Sequence, residues 1–373
     1  MSKYEGNGRI LWLDTFKGFG IFFLVFSHLI PYGFAGDKQI DSSLMISYLY
    51  SFHMPLFFFA AGFTINYRKF DSFWSFFWSK VKGILVPYAS LYFVSWLYFM
   101  WMYWKGIVGM LSAPVVIKAF LYGNGTSLGI MNMSLWFLPC LFLAHVILYF
   151  LLKYSKDKSF YLLYIWILLS VIGAITSKLY PGEVPWSALA SINAASIMLL
   201  GYMFRNFGKT MVDFFHLDKP FVAYSAAIVG FTLFLLNGRP GMASNYYGQN
   251  YIGFYAAVIA SLIFYMYLSK RLEQSKMISY FGKNSLIVFG LHGLIISFLM
   301  NVKFFEWFSG KFNFYFEGLS LVIFAVFMVF IISIIFIEFF NRIAPFLIGK
   351  GYKKKEIWTT QTGDDCQVDR QKL

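Results

Sequence analysis

The chain is divided into apolar runs of seventeen residues or more, each long enough to cross a hydrocarbon core of roughly 30 Å. In order they fall at residues 10–30, 44–66, 84–104, 134–152, 160–178, 187–204, 220–236, 252–268, 284–300 and 316–340. Ten runs in 373 residues leave no room for a soluble sugar- or nucleotide-binding domain, since the longest remaining pieces are 105–133 and 341–373. The expected fold is therefore all-α, a polytopic membrane protein with about ten transmembrane helices. Residues 1–345 form the membrane domain, and 346–373 a polar cytoplasmic tail whose composition predicts disorder. Only 13% of the residues are charged, about half the share of a soluble domain. That deficit agrees with lipid as the main solvent.

A net charge of +14 raises the question of nucleic acid, and the position of the charges answers it. Cationic loops are retained on the cytoplasmic side of a membrane. Of the 31 Lys and Arg, 23 lie in the two ends and the loops after the second, fourth, sixth and eighth spans. The alternate loops hold seven, and Lys17 lies within the first span. This alternation predicts ten spans with both termini cytoplasmic, and it leaves no charge asymmetry that calls for nucleic acid. Cys140 within a span and Cys366 in the tail are too far apart to suggest a disulfide or a metal site.

Ionisable side chains inside a span are costly and mark function more often than structure. The first span, RILWLDTFKGFGIFFLVFSHLI, contains Asp14, Lys17 and His28. At 3.6 residues per turn, Lys17 and His28 lie within about 20° of one another, and Asp14 within about 40° of that line. One face of this helix is thus polar over most of its length and must look into protein. His53, in SFHMPLFFFAAG of the second span, is expected at a depth similar to His28 on a neighbouring helix. His292 lies near the middle of the ninth span. His145 is read as a hydrogen-bonding residue between helices. No helical ligand spacing links these histidines, so no metal is expected.

Two loops on the outward side stand out. Ala113-Pro114, an apolar stretch and Gly123 predict a short surface helix with a Pro start and a Gly stop. Residues 237–251, rich in Asn, Gln, Tyr and Gly, read as a turn-rich connector, with a carbohydrate-contacting rim as the functional alternative.

Lys17 followed by ten residues and His28 resembles the first-span pattern of the acyltransferase-3 family of membrane-bound O-acyltransferases. FHMPLFFFAAG is similar to the second-span signature of its fucose 4-O-acetylase-like branch. LWFLPCLF, with Trp136 and Pro139, and GKNSLIVFGLH also match in place and order. The likeness covers the ten spans. It departs from the family where closely spaced arginines often precede the third span; this chain has Lys80 and Lys82, which keep the charge without the bidentate fork.

The resemblance implies transfer of an acetyl group from cytoplasmic acetyl-CoA to a hydroxyl of a cell-surface polysaccharide or its lipid-linked precursor. The setting would be the cytoplasmic membrane of a bacterium, among membrane lipid and polysaccharide-assembly proteins. On this reading His28 is the catalytic base or acyl carrier, and His53 orients it or acts as a second acid/base group. Asp14, Lys17, Lys80 and Lys82 face the donor, with Trp136 and His292 as further candidates. Succinyl or another short acyl group is an alternative to acetyl. From another class, the rival is a transporter or flippase for polysaccharide intermediates, although the chain shows no internal repeat of the kind many transporters carry.

Overall fold

The computed structural model describes residues 4–5, 9–33, 39–312 and 318–351. The expected disordered tail lies outside the described residues from 352 onward. The helices are α1 (Leu11–Gly33), α2 (Gln39–Thr64), α3 (Phe73–Lys80), α4 (Val86–Trp104), α5 (Ala113–Tyr122), α6 (Gly125–Leu128), α7 (Phe137–Ser155) and α8 (Ser159–Leu179). They continue as α9 (Ala188–Phe215), α10 (Pro220–Asn237), α11 (Tyr251–Arg271), α12 (Lys276–Lys283), α13 (Ser285–Asn301), α14 (Phe304–Phe312) and α15 (Leu319–Arg342). Among the described residues, nine helical stretches are long and apolar enough to span a membrane, or ten when α12 and α13 are taken together. The architecture is the expected all-α bundle. The helix expected after Ala113-Pro114 is α5, and it stops at Gly123, whose φ of 58° suits glycine.

Two spans depart from their expected limits. The third begins at Phe73 rather than 84, because Ser72 caps α3 by accepting from the Ser75 amide at 3.2 Å. The helix then runs through a π-turn, Val81–Leu85, into α4. Pro87 accounts for the widened ladder: its ring crowds the carbonyl four residues back, at Gly83. Lys80 and Lys82 are thereby helical residues instead of loop residues. The sixth, expected at 187–204, continues as α9 to Phe215. The ninth keeps its expected limits as α13, but a short helix, α12, precedes it with a bend of 84° at Asn284 and packs against α1.

α1 is the helix around which the others are arranged, touching α2, α11, α12, α13 and α15. Contact is close because glycines let backbones meet. A Cβ at Gly282 would fall 1.7 Å from the Asp14 carbonyl oxygen, and one at Gly18 would fall 2.3 Å from that of Ile278. The same device joins α2 to α9, where a Cβ at Gly62 would lie 1.8 Å from the Met198 oxygen and one at Gly201 2.1 Å from the Phe59 oxygen. In lipid, where no hydrophobic force drives helices together, such approach supplies the dispersion energy of association. Polar ties add to it: Asp157 accepts from Arg68, from Tyr67 at 3.0 Å and from Tyr202 at 2.5 Å, fastening the loops after α2 and α7 to α9.

Gly62→Leu is therefore expected to lower the thermal midpoint of the detergent-purified protein sharply, as overpacking costs about 1–3 kcal/mol even where neighbours can yield. Gly109→Ala, where a Cβ meets nothing within 4 Å, should leave the midpoint unchanged. Equal midpoints for the two variants would contradict this packing.

Candidate active site

Three histidines converge inside the bundle where α1, α2 and α13 approach one another. His28 is on α1, His53 on α2 and His292 on α13. The rings of His28 and His292 stand edge to face with centroids 4.9 Å apart. Tyr50, one turn before His53 on α2, lies 6.0 Å from the His28 ring and 5.0 Å from the His53 ring. His28 thus has His292 as a ring neighbour, and Tyr50 stands beside both His28 and His53.

Each ring is held by its own helix. The Nδ1 of His28 lies 2.8 Å from the Leu24 carbonyl oxygen, that of His53 2.6 Å from Leu49, and that of His292 2.7 Å from Phe289. A carbonyl can only accept, so Nδ1 carries the proton in all three. In a neutral imidazole the other nitrogen, Nε2, is then a bare lone pair. Three helices thus present proton acceptors of fixed tautomer and orientation. Around them, Asn132 donates from Nδ2 to the Gly290 carbonyl at 2.8 Å and to Ser95 Oγ at 3.1 Å, fixing the turn of α13 that precedes His292. Ser134 Oγ is 3.5 Å from His292 Nε2.

His28 and His53 border a cavity of about 90 Å³, lined also by Tyr50, Ser134, Trp136 and Phe289 among others, while His292 lies outside the lining against the His28 ring. A second cavity, about 380 Å³, lies toward the other end of α1 and is lined by Lys17, Thr64, Gly83, Phe137, Ser285 and Phe289, among others. Phe289 is a wall of both. Its ring packs on Phe137 at 4.9 Å and Phe57 at 6.2 Å, so an aromatic partition separates the two chambers. The polar face of α1 therefore opens into protein twice, at Lys17 and at His28, as the helical spacing requires. Lys17 Nζ lies 2.7 Å from Asp14 Oδ1. A still larger apolar groove of about 450 Å³ between α1, α12 and α15 is lined by hydrocarbon and aromatic side chains, and it offers no group for proton transfer.

The other expected donor residues are dispersed. Lys82 is exposed, beside the Gly83 that lines the larger chamber. Lys80 is absent from that lining; its ammonium lies 5.2 Å from the Phe76 ring centroid. His145 hydrogen-bonds its own helix, Nδ1 to the Leu141 carbonyl at 2.8 Å, and among the described residues makes no bond to another helix of the kind its sequence position suggested.

Sequence reasoning did not single out Arg239. It belongs to the 237–251 loop, which is knitted in place rather than loosely connecting. Asn237 donates to the Tyr247 carbonyl at 2.8 Å and accepts from the Asn250 amide at 2.6 Å, while Gly241 and Tyr246 pair across the turn. Gly241, Met242 and Ala243 form part of the smaller chamber's wall. Burial raises the Tyr247 phenol well above its ordinary pKa and keeps it neutral. Arg239 lays its guanidinium 4.4 Å from the Tyr50 ring centroid. A lone arginine in a loop carries no sequence signal; only the contact with Tyr50 identifies it.

The family model described as "Acyltransferase domain" matches residues 10–338, which include every residue of both chambers and of the histidine cluster. No curated protein and no solved structure gives a significant match. With the match running from the start of α1 into the last turns of α15, the chain belongs to the acyltransferase-3 family and is a membrane acyltransferase.

Proposed function

We propose that the chain transfers an acetyl group from acetyl-CoA, bound at the cytoplasmic end of the bundle, to a hydroxyl of a cell-surface polysaccharide or its lipid-linked precursor on the opposite side. The observation that carries this reading is the pair of chambers sharing the Phe289 wall, with a lysine in one and histidines of fixed tautomer in the other. The excess of Lys and Arg in alternate loops supports a cytoplasmic Lys17 end. The larger chamber would then receive the donor. Its ammonium, held by Asp14, keeps donor capacity for a phosphate or carbonyl of the coenzyme. Lys82 stands near the same mouth, while Lys80 contributes charge from outside the lining.

The chemistry follows from the histidine tethers. A sugar hydroxyl is a weak nucleophile. Nε2 of His28 would take its proton as the oxygen attacks the thioester carbonyl. The new ester C–O bond forms, the C–S bond breaks, and the thiolate leaves and is reprotonated. His53 and His292 flank the base and hold its surroundings. A two-step route begins at the same nitrogen, with Nε2 attacking the thioester and the acetyl-imidazole then passing its acyl group to the hydroxyl. Acid-quenched acetyl label on the protein distinguishes the routes.

His28→Ala should lower acyl transfer at least about 100-fold at equal protein level, the usual worth of a positioned acid/base group. Label moving into acceptor at the wild-type rate would remove His28 from the chemistry. Lys17→Ala should raise KM for the CoA thioester about tenfold or more, as expected for losing a charge-assisted hydrogen bond. An unchanged KM would take the donor out of the Lys17 chamber.

A further inference from the structure

Arg239 is a fixed positive charge beside the histidine chamber, and the transfer chemistry above makes no use of it. Its backbone is pinned between Gly238, with φ at 73°, and the buried Pro240. The loop it belongs to is held by the Asn237 and Gly241–Tyr246 bonds, so the side chain leaves a rigid base. The guanidinium covers Tyr50, whose ring touches those of both His28 and His53, and it lies within electrostatic reach of the two imidazoles. Arg239 itself is exposed, and the residue it covers, Tyr50, belongs to the chamber lining. Among the described residues, no ion pair to a carboxylate joins it. Glu183, the acid bonded to this loop, accepts from the Thr126 amide at 2.5 Å and from Ser244 Oγ at 3.3 Å.

The guanidinium lies over the Tyr50 ring and within hydrogen-bonding reach of its phenol, and its five N–H donors leave others to offer an oxyanion in a planar fork. We propose that Arg239 binds an anionic group of the acceptor and so places the neighbouring hydroxyl at the histidines. The shared chemistry is an oxyanion, supplied either by the carboxylate of an acidic sugar or by the phosphate that links a glycan to its lipid carrier. The inference rests on the acyl-transfer reading for its purpose, but anion binding is measurable without transfer.

The full-length protein in detergent is titrated with a uronic-acid oligosaccharide, with its carboxyl-reduced neutral counterpart, and with a polyprenyl diphosphate. The expected result is that one anionic probe binds wild type about tenfold or more tightly than Arg239→Gln, as for a charge-assisted pair. The neutral oligosaccharide should bind both proteins alike, and Arg239→Lys should fall between. Preference for the uronate identifies a sugar carboxylate, and preference for the diphosphate identifies the lipid linkage. Affinities that ignore Arg239 for both anions overturn the proposal, including the case where Arg239→Gln only lowers the thermal midpoint and Arg239→Lys binds as wild type does. Should Arg239→Gln fail to fold, Arg239→Lys decides alone, since a bidentate contact predicts a weaker anion affinity and a loop clamp predicts none. Anion binding through Arg239 without any acyl transfer in wild type would refute the acyl-transfer reading and leave the anion site standing. Transfer indifferent to acceptor charge would do the reverse.

Discussion

Hydrocarbon offers no partner to Asp14, Lys17 and His28, and the rest of the bundle is arranged to supply one. Because the three fall along one face of α1, that face has to be enclosed from end to end. α2, α11, α12, α13 and α15 all pack on α1. The packing of α12 against α1 is tight enough that Gly18 and Gly282 admit no side chain. Enclosure leaves two chambers rather than one because Phe57, Phe137 and Phe289 fill the middle.

Within that enclosure the histidines are oriented by local backbone geometry. A bond from Nδ1 to a carbonyl three or four residues earlier costs no long-range partner, and it settles both the tautomer and the ring direction. The helices then need only meet at the right depth. Phe289 links the two functions of α13: its ring is the partition between the chambers, and its carbonyl holds the His292 imidazole. A shift of this turn would move both together.

Much of this was legible from residue type and spacing. The apolar runs placed the spans, and the eleven-residue interval from Lys17 to His28 placed a polar face that the structure opens into both chambers. Where the reading fell short, the cause was local. Lys80 and Lys82 looked like loop residues because charge outweighs the apolar FWSFFWSK segment that Ser72 starts as helix, and the π-turn forced by Pro87 has no periodic signature. The short helix α12 ahead of the ninth span was missed because its eight residues, with Lys276 and Lys283 at the ends, read as a cationic loop. His292 beside His28, and Arg239 over Tyr50, are contacts between segments distant in sequence, so no spacing rule reaches them.

The central claim is that an acyl group passes through the chain from the Lys17 chamber to the histidine chamber. Purified protein reconstituted in one orientation in liposomes, with acetyl-labelled CoA thioester and glycan acceptor supplied on chosen sides, measures this directly. Label should enter glycan only when the thioester is on the Lys17 side and the acceptor on the histidine side. Equal labelling with donor and acceptor on the same side would contradict transfer across the partition.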